Sequence, residues 1–266
     1  MSARVRVPRQ GYELAAQVGG DGEKAILLSN SLGAHLEMWD VQTNLLAPHY
    51  KVIRYDTRGH GQSDAPDGPY SFDELVADAL AVLDHFDVAR ADFMGMSLGG
   101  MTGLGVALAA PDRIGRMICT TARADNPEPF VKSWDDRIGI LREGGIEALW
   151  PPTVDRWLTP AFREADPAAV EKLRVGFVAT SATGYEGCAR ALQQLDYLRH
   201  LGEMRVPTLY IAGAEDMGAP PAAMEAMAAA TPTAAFHAIP ACAHIANVNA
   251  ETAFNALISD FLDLPK

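Results

Sequence analysis

The sequence predicts an α/β fold, in which helices flank a mostly parallel central sheet and a helical segment is inserted into the frame. Short runs of β-branched and aromatic residues alternate with helical patterns at both ends of the chain, as in βαβ units. A long stretch near the middle carries helical patterns only. In addition, one serine lies between glycines at the point where a predicted strand gives way to a predicted helix.

The composition is that of a globular protein, and its negative charge argues against polyanionic partners. Of 266 residues, 48% are hydrophobic and 21% charged, which leaves too much apolar material for a disordered chain. Lys and Arg number 22 against 34 Asp and Glu, for a formal net charge of −12. This field repels polyphosphates, so we expect neither a nucleic acid nor an anionic membrane as partner. Nothing in the sequence marks an oligomeric state.

The cysteines and the N-terminal residues bear on the compartment. Cys119, Cys188 and Cys242 lie far apart and form neither a CxxC pair nor an even framework, so we expect no disulfide and no zinc site. The first residues lack the apolar core of a secretory signal, and no run reaches the roughly 18 apolar residues that span a bilayer. The expected location is therefore the cytoplasm.

Strands and helices can be assigned along both ends of the chain. Ser71 followed by Glu74 forms a capping box before an amphipathic run, which predicts a helix there. Asn249 is predicted to cap a C-terminal helix with an apolar stripe from Phe254 to Leu262. Both helices are expected to cover faces of the sheet. The predicted strands are 12–18, 25–28, 51–55, 92–95, 116–121, 208–213 and 235–239.

The middle of the chain reads as a helical insert. We predict a core formed by residues 1–122 and 205–266, with a helical cap over 123–204. This segment holds three of the four tryptophans, and its aromatic residues are expected mainly to form its own core. Its predicted helices are 133–142, 146–158, 167–179 and 185–195.

The strongest functional motif is Gly-Met-Ser-Leu-Gly over residues 95–99. G-x-S-x-G also arises by chance in glycine-rich loops. Here it directly follows the strand 92–95 and precedes a helical stretch to about residue 110, which is the context of a nucleophile elbow. The glycines leave room for a tight backbone crossing, and the turn exposes the hydroxyl of Ser97, the candidate nucleophile.

A serine hydroxyl needs a base and an orienting carboxylate, which in this fold follow in the order Ser, Asp or Glu, His. Asp216 follows the strand 208–213, and His244 follows the strand 235–239. Glu215 is the rival acid, and Asp216 is preferred because its position in the loop matches better. His35 and His60 fall near the predicted site and can line its pocket, but neither fits the order required of the base.

Attack on a carbonyl also needs donors for the oxyanion, each worth about 2.7–4 kcal/mol of barrier height. One predicted donor is the backbone N–H of Leu98, the residue after the nucleophile. The second is the N–H of Leu32, in the loop after the strand 25–28. The alternative is that this loop is an ordinary turn that contains a glycine.

No motif implies a cofactor. Gly103 and Gly105 open a GxG pattern, but it lies inside the helix after Ser97 and lacks the third glycine, so it indicates close packing instead of a dinucleotide site. The sequence contains no Walker loop, no His-Glu-x-x-His and no EF-hand pattern. We expect no metal.

Together these motifs resemble the α/β-hydrolase fold superfamily over essentially the whole chain outside the insert. Leu-Ser-Asn-Ser-Leu-Gly at 28–33, Met-Trp at 38–39, Tyr-Asp-Thr-Arg-Gly-His-Gly at 55–61 and Gly-Pro-Tyr at 68–70 further resemble 3-oxoadipate enol-lactonases. Most superfamily members have His-Gly where this chain has Asn-Ser at 30–31. The resemblance implies hydrolysis of a small lactone to a keto acid.

The resemblance also implies roles for individual residues. Ser97 would be the nucleophile, His244 the general base and then acid, and Asp216 the residue that holds the imidazole. Within the insert, Trp-Asp-Asp-Arg at 134–137 is the recognisable stretch, and Trp134 and Arg137 are expected to bind substrate. The pattern departs at Asn249, where an acidic residue is expected.

An enol-lactone of this kind carries a carboxylate, whereas the protein carries a net charge of −12. A local cation must offset that field, and the candidates are Arg137, Lys132 and Arg123. We hypothesise that Arg137 guides the carboxylate. Two other functions remain open: the same triad in a carboxylesterase or a C–C bond hydrolase, and a ligand receptor that retains the triad.

Overall fold

An eight-stranded sheet forms the centre of the computed structural model, which describes residues 3–265. Its order is β1-β2-β4-β3-β5-β6-β7-β8, with β2 antiparallel to both neighbours and every other pair parallel. The predicted mostly parallel sheet is confirmed. The strands are β1 (Val5–Arg9), β2 (Tyr12–Gly19), β3 (Lys24–Ser29), β4 (Tyr50–Tyr55), β5 (Ala91–Met96), β6 (Ile114–Thr120), β7 (Thr208–Gly213) and β8 (Ala234–Ile239).

Helices pack around this sheet and also fill the segment between β6 and β7. They are α1 (Asp40–Leu46), α2 (Phe72–His85), α3 (Leu98–Ala109), α4 (Glu128–Ala148), α5 (Trp150–Trp157), α6 (Pro160–Ala165), α7 (Pro167–Val178), α8 (Ala182–Leu192), α9 (Pro221–Ala230), α10 (Ala246–Asn249) and α11 (Glu251–Phe261). None of those described is both long and apolar enough to cross a membrane.

The seven predicted strands form within two residues of their expected bounds, and β1 was missed. Every residue of β5 and of β7 is buried, as expected for parallel strands covered on both faces. β1 pairs only with β2 at the edge of the sheet, and Val7 is its one buried residue. A short polar edge strand gives little hydrophobic pattern to recognise.

The capping box of α2 is confirmed, whereas the predicted cap of the last helix was wrong. Ser71 Oγ accepts from the Glu74 N–H, and the Ser71 N–H donates to Glu74 Oε2 at 2.8 Å. The last helix instead follows Ala250, and no side chain caps it. Asn249 lies at the end of α10, where its amide bonds to the backbone of two other segments.

The segment between β6 and β7 is helical in the described residues, as predicted, with two differences in detail. A positive φ of +73° at Gly145 breaks α4 near its end, and the short helix α6 was not predicted. Phe177 packs against Trp157 at 5.6 Å and against Tyr185 at 6.0 Å between ring centroids. The division into core and cap stays a prediction, and residues 1, 2 and 266 of that core lie outside the described part.

Candidate active site

The turn between β5 and α3 presents Ser97. Its backbone has φ +53° and ψ −117°, a conformation that residues other than glycine rarely adopt. A Cβ on Gly95 would collide with the Gly99 backbone, and a Cβ on Gly99 would collide with the Ser29 carbonyl. The Ser97 N–H donates to the Thr120 carbonyl at 2.8 Å. The strained turn is thus held by close backbone packing that only glycine permits.

The loops after β7 and β8 bring a carboxylate and an imidazole together. Asp216 is buried, and its Oδ2 lies 2.7 Å from His244 Nδ1. The other oxygen, Oδ1, accepts from the N–H groups of Gly218 at 2.8 Å and Ala219 at 3.2 Å. Because Nδ1 bonds to a carboxylate, the imidazole carries its proton there, and Nε2 is left as the basic nitrogen.

The three residues predicted from sequence line one cavity. Ser97, Asp216 and His244 border a space of about 290 Å³ at the carboxyl ends of the parallel strands. No hydrogen bond joins Ser97 to His244 in residues 3–265, and such bonds are often long in free enzymes. The side chain of Glu215, the rival acid, is exposed.

The two predicted oxyanion donors lie at the loops that meet beside Ser97. The Gly99 N–H donates to the Asn30 carbonyl at 2.9 Å and so fastens the loop after β3 to the elbow. Leu32 lines the cavity together with Ser97. Within the described chain, neither the Leu32 nor the Leu98 N–H donates to a protein acceptor, so both can serve a ligand.

Neither His35 nor His60, which the sequence placed near the site, lines this cavity. His60 is fully buried, and its Nε2 accepts from the Gly33 N–H at 2.9 Å while Nδ1 bonds to the Arg58 carbonyl at 3.0 Å. Burial lowers the pKa of His60 to about 4, so the ring is neutral at physiological pH. His35 borders a separate groove of about 650 Å³ beside α1 and α7.

Two arginine side chains line the cavity without a carboxylate partner in the described chain. Arg137 and Arg156 both line it, and among the described residues neither forms an ion pair. The Arg137 guanidinium lies 4.1 Å from the Trp134 ring centroid. Burial, and then the neighbouring Arg156 charge, lowers the pKa of Arg137 to about 10. Burial lowers the pKa of Arg156 as well. Two desolvated positive charges without counter-ions favour an anionic ligand.

The other two predicted cations are engaged elsewhere. Arg123 lines the cavity, but its Nη2 bonds to Asp125 at 2.7 Å. Lys132 is exposed and bonds to Asp136 at 2.8 Å. Arg156 was missed by the sequence analysis, because one arginine on an amphipathic helix carries no motif.

Aromatic rings from the segment between β6 and β7 line the same cavity as Ser97. The rings that line the cavity are Phe130, Trp134, Trp157, Phe177 and Tyr185. No group of three or more His, Cys, Asp or Glu side chains in the described chain is placed to hold a metal ion. The arrangement combines a hydroxyl, an imidazole paired with a carboxylate, an apolar lining and two arginine side chains.

Comparison with known proteins shows that this chain is similar to hydrolases in sequence and in fold. A family model described as alpha/beta hydrolase fold matches residues 24–251. The chain is 40% identical over 201 residues to 3-oxoadipate enol-lactonase 2 of Acinetobacter baylyi, covering 76% of this chain and 74% of that protein. It is 31% identical over 248 residues to a putative carbamate hydrolase, RutD, of Caulobacter segnis, covering 91% and 92%. The solved enol-lactonase of Burkholderia xenovorans LB400 superposes with a TM-score of 0.93 at 35% identity, covering 97% of this chain and all of that one.

Proposed function

Because the chain belongs to the α/β-hydrolase fold family, we propose that Ser97, His244 and Asp216 act as its nucleophile, general base and orienting carboxylate. The chain is a hydrolase of esters or lactones, and the fold class and reaction class predicted from the sequence are both confirmed. The 2.7 Å contact between His244 and Asp216, in the cavity that Ser97 lines, supports these roles.

Ring opening is the first half of the reaction. Ser97 Oγ attacks the lactone carbonyl carbon and passes its proton to His244 Nε2. The Leu32 and Leu98 N–H groups bind the oxyanion that forms. As the tetrahedral intermediate collapses, the ring C–O bond breaks and the departing oxygen takes the proton from His244. The product is an ester on Ser97 that still carries the opened chain.

Water completes the reaction at the same carbonyl. His244 accepts a proton from water as its oxygen attacks the acyl carbon, and the bond to Ser97 Oγ then breaks with return of that proton. A new carboxylate is released. When the departing oxygen belonged to an enol, the product relaxes to a ketone, which makes ring opening effectively irreversible.

The proposed substrate is a small enol-lactone with a free carboxylate, of the kind named for the relatives from Acinetobacter baylyi. The observation that carries this proposal is the pair Arg137 and Arg156, which lines the cavity without a carboxylate partner in the described chain. Guanidinium groups bind carboxylates through charge-assisted hydrogen bonds. Trp134 lies against Arg137 and holds it in place.

The same triad also serves in a carboxylesterase or a C–C bond hydrolase, so substrates must discriminate. We would measure kcat/KM for 3-oxoadipate enol-lactone, its neutral methyl ester, 4-nitrophenyl acetate and a vinylogous diketone. We expect the carboxylated lactone to lead by at least about tenfold, since charge-assisted bonds are worth about 1.5–3 kcal/mol. Equal values for the lactone and its methyl ester would refute the anionic substrate, and binding without turnover would indicate a receptor.

Two further expectations belong with this function. The cap assigned to residues 123–204 would supply the aromatic wall and the two arginines. The cytoplasmic location stays a prediction.

A further inference from the structure

One side chain ties the loop that carries His244 to the segment after α5. Asn249 Oδ1 accepts from the Ala243 N–H at 2.8 Å and from the Thr159 N–H at 3.2 Å. Its Nδ2 donates to Thr159 Oγ1 at 3.3 Å. A single side-chain amide thus bonds to the backbone N–H groups of Ala243, which precedes His244, and of Thr159.

The residue on the other side of His244 is held by the same segment. The Ile245 N–H donates to the Trp157 carbonyl at 3.0 Å. Both backbone neighbours of the imidazole therefore depend on the position of residues 157–159. That position also sets the end of α5, from which Arg156 and Trp157 reach the cavity.

The amide suits this junction better than a carboxylate or an apolar side chain. Thr159 Oγ1 already accepts from the Phe162 N–H at 3.3 Å, where it caps α6. Asn249 offers an acceptor to two N–H groups and a donor to that oxygen. A carboxylate supplies no donor, and it adds a negative charge one hydrogen bond away from the residue that precedes His244.

We propose that Asn249 is a positioning residue, which holds the His244 imidazole relative to Ser97 and couples that placement to the end of α5. The proposal rests on the proposed function of His244 as base and of Arg156 as carboxylate ligand. Anchoring a substrate carboxylate on Arg156 then favours the same α5 position that aligns the base. An error of about 1 Å in such placement costs roughly a hundredfold in rate.

The first test compares two asparagine truncations in the full chain, with thermal melts as the check on folding. Asn249→Ala should lower kcat by ten- to a hundredfold for both the carboxylated lactone and 4-nitrophenyl acetate. Asn255→Ala is the matched control, since it removes an acceptor that Gln42 Nε2 reaches at 2.8 Å in the contact between α1 and α11. It should change kcat less than twofold.

Asn249→Asp separates positioning from stability and serves if the alanine variant fails to fold. It keeps an acceptor for both N–H groups, so it should retain more kcat than Asn249→Ala. A purely structural asparagine would lower the melting temperature and leave kcat unchanged, which would overturn the proposal.

A double-mutant cycle tests the coupling to α5. With the carboxylated lactone, Arg156→Gln should cost at least about fivefold less in the Asn249→Ala background than in the native one. With 4-nitrophenyl acetate, which has no carboxylate, the cycle should show no coupling. Losses that simply multiply on the lactone would overturn the coupling. If the lactone is not a substrate, the proposed function fails, while kcat of Asn249→Ala and Asn255→Ala on 4-nitrophenyl acetate still decides the positioning role.

Discussion

The Gly33 N–H donates to His60 Nε2 across 2.9 Å, which joins the loop of one proposed oxyanion donor to a fully buried imidazole. Gly33 has φ +80°, and a Cβ there would collide with the ring of Phe177. The loop is therefore held by the buried histidine on one side and by a ring from α7 on the other. His60 has to be neutral to accept this bond, so its titration should affect stability.

Stability should fall as the pH drops from about 6.5 towards 4. The pKa of His60 is about 4 in the folded protein, lowered chiefly by burial from an ordinary 6.5, so only the unfolded chain takes up this proton in that range. The expected loss of unfolding free energy at pH 5 is about 2 kcal/mol relative to pH 7.5. Urea unfolding at both values of pH measures it. His60→Asn should lose about 2 kcal/mol less than the native protein, whereas His237→Asn, at an exposed position of β8, should lose as much as the native protein.

The two arginines of the cavity should determine preference for an anionic substrate. Arg137→Gln or Arg156→Gln should lower kcat/KM for the carboxylated lactone by about ten- to a hundredfold, because a charge-assisted bond is lost. The neutral methyl ester should change less than threefold. Steady-state kinetics with both substrates measures the ratio. Lys132→Gln removes the same charge from an exposed position of α4, so an equal loss in that variant would show that the effect comes from the overall charge of the protein.

The loss of kcat on substitution of a residue of the proposed triad should depend on the role of that residue. Ser97→Ala should lower kcat by roughly a millionfold, and Asp216→Asn by about ten thousandfold, by analogy with other serine triads. Glu215→Gln makes the same change at the adjacent, exposed position and should leave kcat within twofold. Turnover of 4-nitrophenyl acetate gives all three values. A Ser97→Ala variant with most of its activity would contradict the acyl-enzyme mechanism.

The glycines of the elbow should tolerate no side chain. Gly99→Ala places a methyl group against the Ser29 carbonyl, so it should destabilise the fold by about 2 kcal/mol or more and abolish most activity. Gly139→Ala adds the same methyl group in α4 with nothing within 4 Å, and it should stabilise by about 0.5–1 kcal/mol. Chemical denaturation measures both. An unchanged Gly99→Ala variant would show that the turn is looser than its packing indicates.

Sequence alone determined the parts of this protein that local pattern encodes. The buried strands appear as apolar runs because both faces are covered, and the elbow appears because its crossing excludes any residue but glycine at positions 95 and 99. Asp216 and His244 were found because each follows a strand in the order that the fold requires. Arg137 was inferred because the substrate that the family resemblance implies carries a carboxylate, whereas the protein carries a net charge of −12.

Only the tertiary structure decided which side chains from distant segments meet. Arg156 joins Arg137 in the cavity, and the amide of Asn249, which the sequence suggested as a helix cap, instead connects residues 159 and 243. The position of His60 in the chain does not fit the role of the base. The structure shows that the side chain is buried under the Gly33 loop, where the neutral ring supports that loop. Such contacts depend on how helices pack across the strand ends, and hydrophobic periodicity constrains which face of a helix is buried without specifying its neighbour.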